Sequence, residues 1–191
     1  MRWPFNRLRQ TPSPPRGTIE AIYGMIVAQA RDPLFYGSFA VPDTVNGRFD
    51  MIVLHLWLLL RRLRDDEAQS AFGRNLVERF CSDMDDNLRE LGVGDLTVPK
   101  RMLKFGEALY GRAVAYDAAL AEADETALAQ AIDRNILNGR GPAAAMPLAA
   151  YARAEAARLD RIDARALMNG DWKFTSPGEA QATLENARGT S

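Results

Sequence analysis

The sequence predicts an all-α fold: one domain built as a bundle of about six helices, with an irregular aromatic loop between the first two. Three observations carry that prediction. Apolar residues recur at three- and four-residue steps along most of the 191-residue chain, no segment alternates as a strand would, and Gly and Pro fall between the periodic stretches. A chain of this length favours one domain with short tails, here 18–174 between a basic leader (1–17) and a polar tail (175–191).

The first helix should run from a cap at Thr18 to about Arg31, with Ile19, Ile22, Tyr23, Ile26 and Ala30 on one face. Asp32-Pro33 ends it, because the residue before proline is pushed out of helical geometry. Leu34 to Gly47 has no helical period, yet Phe35, Tyr36 and Phe39 fall close together. A loop this apolar either covers the end of the helical core or receives a partner. Phe49 to Leu63 forms the second helix, apolar on nearly all sides and therefore central. Its run Met51 to Leu60 is too short for a bilayer, which takes about 20 apolar residues. His55 interrupts that run and reads as a hydrogen-bonded core or boundary residue rather than a ligand.

Asp66 to Leu91 reads as one long helix with Phe72, Leu76, Phe80, Met84, Leu88 and Leu91 in a stripe and Cys81 packed beside it. Gly92 is its natural left-handed cap. Thr97 caps the fourth helix, whose core face is Met102, Phe105, Leu109, Ala113, Tyr116 and Leu120; the short connection makes it an antiparallel neighbour of the third. Asp124 or Thr126 starts the fifth helix, which stops at Asn138-Gly139. The alanine-rich stretch from Ala143, with Pro147 at the helix start, carries the sixth through Leu167 to Asn169-Gly170. Trp172 and Phe174 anchor the end of that helix, and Thr175 to Ser191 reads as a mobile tail.

Composition excludes more functions than it suggests. Lys and Arg number 24 against 25 Asp and Glu, for a formal charge of -1, so no dedicated or sequence-specific nucleic-acid binder is indicated. One cysteine and one histidine rule out a disulfide framework, a cysteine-rich zinc site and a di-iron bundle. There is no Gly-rich phosphate loop and no nucleophile elbow. The leader carries Arg2, Arg7, Arg9 and Arg16 with no acid, and reads as disordered or as a weak contact for anionic lipid or rRNA. The acidic run Asp83-Met84-Asp85-Asp86 and the basic group Lys100, Arg101 and Lys104 stand on neighbouring helices. A solvated face or a partner contact explains them. The alternative is an α-helical isoprenoid-diphosphate or lipid-linked enzyme, in which aspartates hold Mg²⁺, although the spacing departs from DDxxD and only one such cluster occurs.

Three separated motifs carry a more specific signal. They are Tyr36 to Thr44 with Gly47 to Asp50, Phe80 to Asp95 (FCSDMDDNLRELGVGD), and Val98 to Arg101 continuing through Phe105 to Arg112. In this order they resemble the ubiquinol-cytochrome c chaperone family over about Ile22 to Leu137, and the short leader resembles its bacterial branch. The alanine-rich helix and both tails lie outside the resemblance. It implies a non-enzymatic assembly chaperone for the cytochrome bc1 complex that needs no cofactor. Such a protein transiently binds an immature subunit, cytochrome b or another bc1 subunit, and mitochondrial relatives act on newly made cytochrome b near the ribosome and the inner membrane. The implied location here is cytoplasmic, peripheral on that membrane. Candidate partner contacts are the aromatic loop (Phe35, Tyr36, Phe39) and the charged turn with its flanking helices (Asp83, Asp86, Arg89, Lys100, Arg101, Lys104, Tyr110, Arg112).

Overall fold

The computed structural model describes residues 16–64 and 67–182, and among these it contains helices and no strands. In chain order they are α1 (Arg16–Ala30), α2 (Pro33–Gly37), α3 (Val45–Arg62), α4 (Glu67–Glu90), α5 (Val98–Ala121), α6 (Glu125–Ile132), α7 (Pro142–Asp160) and α8 (Ala164–Asn169). A π-helical turn, Asp133–Leu137, continues α6, and residues 177–182 are also helical. The all-α class is as expected, and the departures from six helices have local causes.

Asp32-Pro33 ends α1 and also begins α2: the Asp32 carboxylate accepts from Leu34 N at 2.9 Å, and proline occupies a first-turn position whose missing N–H costs nothing. The expected loop therefore contains a short helix. α3 starts before Phe49 because Thr44 Oγ1 accepts from Gly47 N at 3.1 Å. The expected sixth helix divides after Asp160, where Asp163 takes the N–H groups of Arg165 and Ala166 and opens α8. Pro147 lies inside α7, which begins at Pro142, rather than at a helix start. Thr18 sits within the first turns of α1, and Thr97 precedes α5 without a side-chain capping bond. Gly92, at φ 75°, ends α4 in the left-handed region, as expected.

α3 is the axle. Met51 to Leu59 is buried without interruption, and α1, α4, α5, α7 and the π turn all pack on it. A helix apolar all round can satisfy its surface only in such a position. His55 is fully buried there: Nδ1–H donates to Met51 O at 2.8 Å and Nε2 accepts from the Tyr151 hydroxyl at 2.9 Å. Both ring nitrogens are occupied with the imidazole neutral, and burial lowers its pKa from 6.5 to about 4. Gln29 joins the network, donating to the Tyr151 hydroxyl at 3.1 Å and to Thr175 O at 2.8 Å.

The segment after α8 returns to the core. Trp172 and Phe174 are buried, as expected, with Trp172 Nε1 donating to Leu167 O at 2.9 Å. Buried Glu155 holds Arg158 and accepts from Thr175 N. Of the expected polar tail, residues 175–182 are described, and Pro177 is buried against the body. The expected leader (1–15 of it) and residues 183–191 lie outside the described residues.

Candidate functional site

The start of α3, the second half of α4 and the first half of α5 meet at one end of the molecule around a groove of about 540 Å³. Its floor is Phe49, Ile52, Met84, Leu88 and Phe105. The rings of Phe49 and Phe105 stack with centroids 4.8 Å apart, and Phe80 lies 5.9 Å from Phe49. The α4 stripe thus serves two purposes, packing the core at Phe72 and Leu76 and lining the groove at Met84 and Leu88. Val45 and Leu91 stand exposed at the edges.

An ion pair lies beneath this floor. Arg112 Nη2 donates to Asp50 Oδ1 at 2.6 Å, and its guanidinium lies 5.6 Å from the centroid of the Phe49 ring. Burial pushes the Asp50 carboxyl up to about 6 despite the cation beside it. Arg112 is therefore a support for the floor rather than an outward contact.

The rim is basic, formed by Arg31, Arg48, Arg101 and Lys104. Arg48 bonds Asp43 at 2.8 Å, whereas Arg31, Arg101 and Lys104 form no ion pair with a described residue. The acid lining the groove, Asp83, accepts from the Tyr23 hydroxyl at 2.9 Å and lies 3.8 Å from Arg79, whose guanidinium covers the Tyr23 ring. Burial and the Asp83 bond hold that phenol protonated far above its ordinary range. Asp83 is thus engaged by Tyr23 of α1 and by Arg79 of its own helix. What remains is an apolar concavity bordered by Arg31, Arg101 and Lys104, cations without an ion pair among the described residues, and such a surface is suited to binding.

The other expected contacts fall in different places. Phe35 and Phe39 are core residues, a correction to their candidacy as partner contacts: α2 and the turn after it place both inward against Tyr151, at 5.1 and 6.3 Å between centroids, and Phe35 reaches His55 at 5.4 Å. Tyr36 is half-buried and donates to Ala30 O at 2.6 Å. The aromatic loop covers the helical core. Arg89 is engaged by Asp85 and Asp95, each at 2.6 Å. Asp86, Lys100 and Tyr110 are exposed outside the groove lining. Asp83, Arg101 and Lys104 are the expected residues that the fold brings to the groove. Arg31, Arg48, Phe49, Met84, Leu88 and Phe105 complete it. Among the described residues no group of three or more His, Cys, Asp or Glu is placed to hold a metal ion, so the acidic run supplies no Mg²⁺ ligand set there. Cys81 is partly buried, and burial pushes its thiol up, away from the reactive thiolate. No helix among the described residues is long and apolar enough to cross a membrane.

Comparison with known proteins covers both fold and groove. The family model for the ubiquinol-cytochrome C chaperone matches residues 37–174, which takes in the alanine-rich α7 and the Trp172–Phe174 anchor as well as the three motifs from Gly37 on. The ubiquinol-cytochrome-c reductase complex assembly factor 1 of Xenopus laevis is 27% identical over 157 residues, covering 79% of this chain and 78% of that protein. The mitochondrial protein CBP3 of Saccharomyces cerevisiae is 33% identical over 153 residues, covering 75% of this chain and 45% of that protein, so the chain spans about half of the yeast relative. The crystal structure of the Cbp3 homolog from Brucella abortus is similar with a TM-score of 0.78 and 39% identity, over 86% of this chain and 92% of that one.

Proposed function

The chain belongs to the ubiquinol-cytochrome c chaperone family, and we propose that it is a non-enzymatic assembly chaperone for the cytochrome bc1 complex, holding immature cytochrome b in the groove between α3, α4 and α5. One observation carries the groove assignment: its floor is apolar, it lies at the surface, and no described segment of the chain covers it. Monomers bury such a surface unless something else is to occupy it. Met84 in the floor adds a side chain that re-packs readily, which suits a surface that must release its client. The reading places the work at the cytoplasmic face of the inner membrane, where a membrane subunit emerges, with the chain as a peripheral visitor. Nothing in the mechanism calls for a cofactor: apolar contact holds the subunit, and partner subunits displace the chaperone.

The test joins cells to contacts. Deleting the gene should lower bc1 complex levels, and a photo-crosslinker at Leu88 or Phe105 should capture cytochrome b during its synthesis. The same crosslinker at exposed Arg161, outside the groove, should not. Normal bc1 levels in the deletion strain, or equal capture at all three positions, defeats the proposal.

A further inference from the structure

Resting on the reading that this groove holds the client, we infer that its occupant is an amphipathic helix with acidic side chains bordering its apolar face. Two features of the groove specify that chemistry. The first concerns backbone. The walls are helices whose N–H and C=O groups bond within themselves, and no strand occurs among the described residues. An extended segment laid on Phe49, Met84, Leu88 and Phe105 would lose water from its own backbone and find no sheet edge to replace it. A helix satisfies its backbone internally and presents side chains at i, i+3, i+4 and i+7 to such a floor.

The second feature is charge. The whole chain carries a formal charge of -1, so the positive rim is a local arrangement and not a by-product of a basic protein. Arg31, Arg101 and Lys104 have no ion-pair partner among the described residues. The acid in the lining, Asp83, is committed to Tyr23 and Arg79; Asp43 is committed to Arg48, and Asp85 and Asp95 to Arg89, while Asp86 and Glu90 stand exposed outside the lining. Within the lining itself the one acid is bonded inside the chain, and three of the four cations are left open. A lysine-bordered helix meets repulsion there, a neutral one meets indifference, and a glutamate-bordered one meets complementary charge.

Fluorescence anisotropy on the full-length chain tests this with labelled 18-residue helical peptides. Each carries leucine on one face, bordered in separate versions by Glu, Gln or Lys. The Glu peptide should bind about tenfold more tightly than the Gln peptide at low salt, as three or four exposed pairs together supply. The gap should close at high ionic strength, and the Lys peptide should bind least. Arg101→Glu/Lys104→Glu changes two exposed residues and should invert the order, so that the Lys peptide binds best. Misfolding cannot produce that inversion. Equal binding of the three peptides, or an order that the double variant leaves unmoved, overturns the inference. So does binding to phosphatidylglycerol-containing vesicles that depends on Arg101 and Lys104 while no peptide binds, which assigns the rim to a lipid surface. Cytochrome b capture at Leu88 that survives Arg101→Glu/Lys104→Glu undiminished keeps the client site and overturns the charge assignment. Peptide inversion without capture at Leu88 supports the groove chemistry and defeats the client reading instead.

Discussion

Replacing Asp50 by asparagine and following stability between pH 7 and pH 4 isolates two buried groups with opposite effects. His55 is neutral in the fold, with its pKa at about 4 against 6.5 in the unfolded chain. Unfolded histidine takes up a proton as the pH falls through 6.5, while the folded residue does so only near 4. Stability present above 6.5 is therefore lost between 6.5 and 4, to the extent of about 3 kcal/mol at about 1.4 kcal/mol per pH unit. Asp50 behaves in reverse. Burial raises its pKa to about 6 from 3.8, so the folded state binds the proton first, and acidification from 6 to 3.8 restores about 3 kcal/mol. In the wild type the two slopes nearly cancel. The asparagine amide does not titrate, so in Asp50→Asn the His55 slope is uncovered. Relative to wild type, the variant should lose about 3 kcal/mol more between pH 7 and 4. Urea unfolding followed by circular dichroism reads this as an extra fall of about 1–2 M in midpoint. The comparison is of differences across pH, so the fixed cost of leaving Arg112 without its carboxylate drops out, as do the other acids. Parallel curves for the two proteins would refute the reasoning.

The remaining predictions use thermal or urea unfolding. A Cβ at Gly47 would sit 2.0 Å from Pro42 O, so Gly47→Ala should destabilise by about 3 kcal/mol as the backbone is forced apart. Gly106 and Gly111 in α5 have open space, and alanine at either should stabilise by about 0.5–1 kcal/mol; the opposite signs discriminate steric need from helix propensity. Phe35→Ala should cost about 3–5 kcal/mol because the ring is fully buried, whereas Tyr110→Ala, at 74% exposure, should stay within about 0.5 kcal/mol. Asp163→Ala removes the cap of α8 and should cost about 1 kcal/mol, with an unchanged value showing that α8 is held by packing alone.

Legibility followed the physical origin of each feature. Periodicity marks burial, so the α4 stripe and the all-round apolar α3 were readable, and so was the role of His55, a polar group that such a helix can bury only when bonded. Short-range capping was readable in part. Asp32-Pro33 is legible as a stop, but the same pair is also a start, and only the turn of the chain after Ala30 decides that α2 forms. Facing was not readable for Phe35 and Phe39. Outside a periodic element nothing in the sequence says which way an aromatic ring points, and α2 with the turn after it points both at Tyr151. The groove was least legible because it is tertiary. Arg31 ends one helix, Arg48 begins another, and Arg101 and Lys104 come from a third, so no window of sequence contains the rim.

The acidic run at Asp83–Asp86 and the basic group at Lys100–Lys104 look in sequence like two complementary halves of one partner surface. The structure distinguishes them by what each already holds. Asp83 and Asp85 are bonded within the chain, to Tyr23 and to Arg89, and a carboxylate so satisfied gains little from a new cation. Arg101 and Lys104 have no such partner among the described residues, and they border the apolar floor that supplies most of any binding energy. On the proposed reading, contact with a client is asymmetric in charge even though the chain is almost neutral. Apolar area fixes how tightly a segment is held, while exposed cations, individually weak and sensitive to salt, select which segment arrives and let it go. That division of labour suits a protein that must release what it binds.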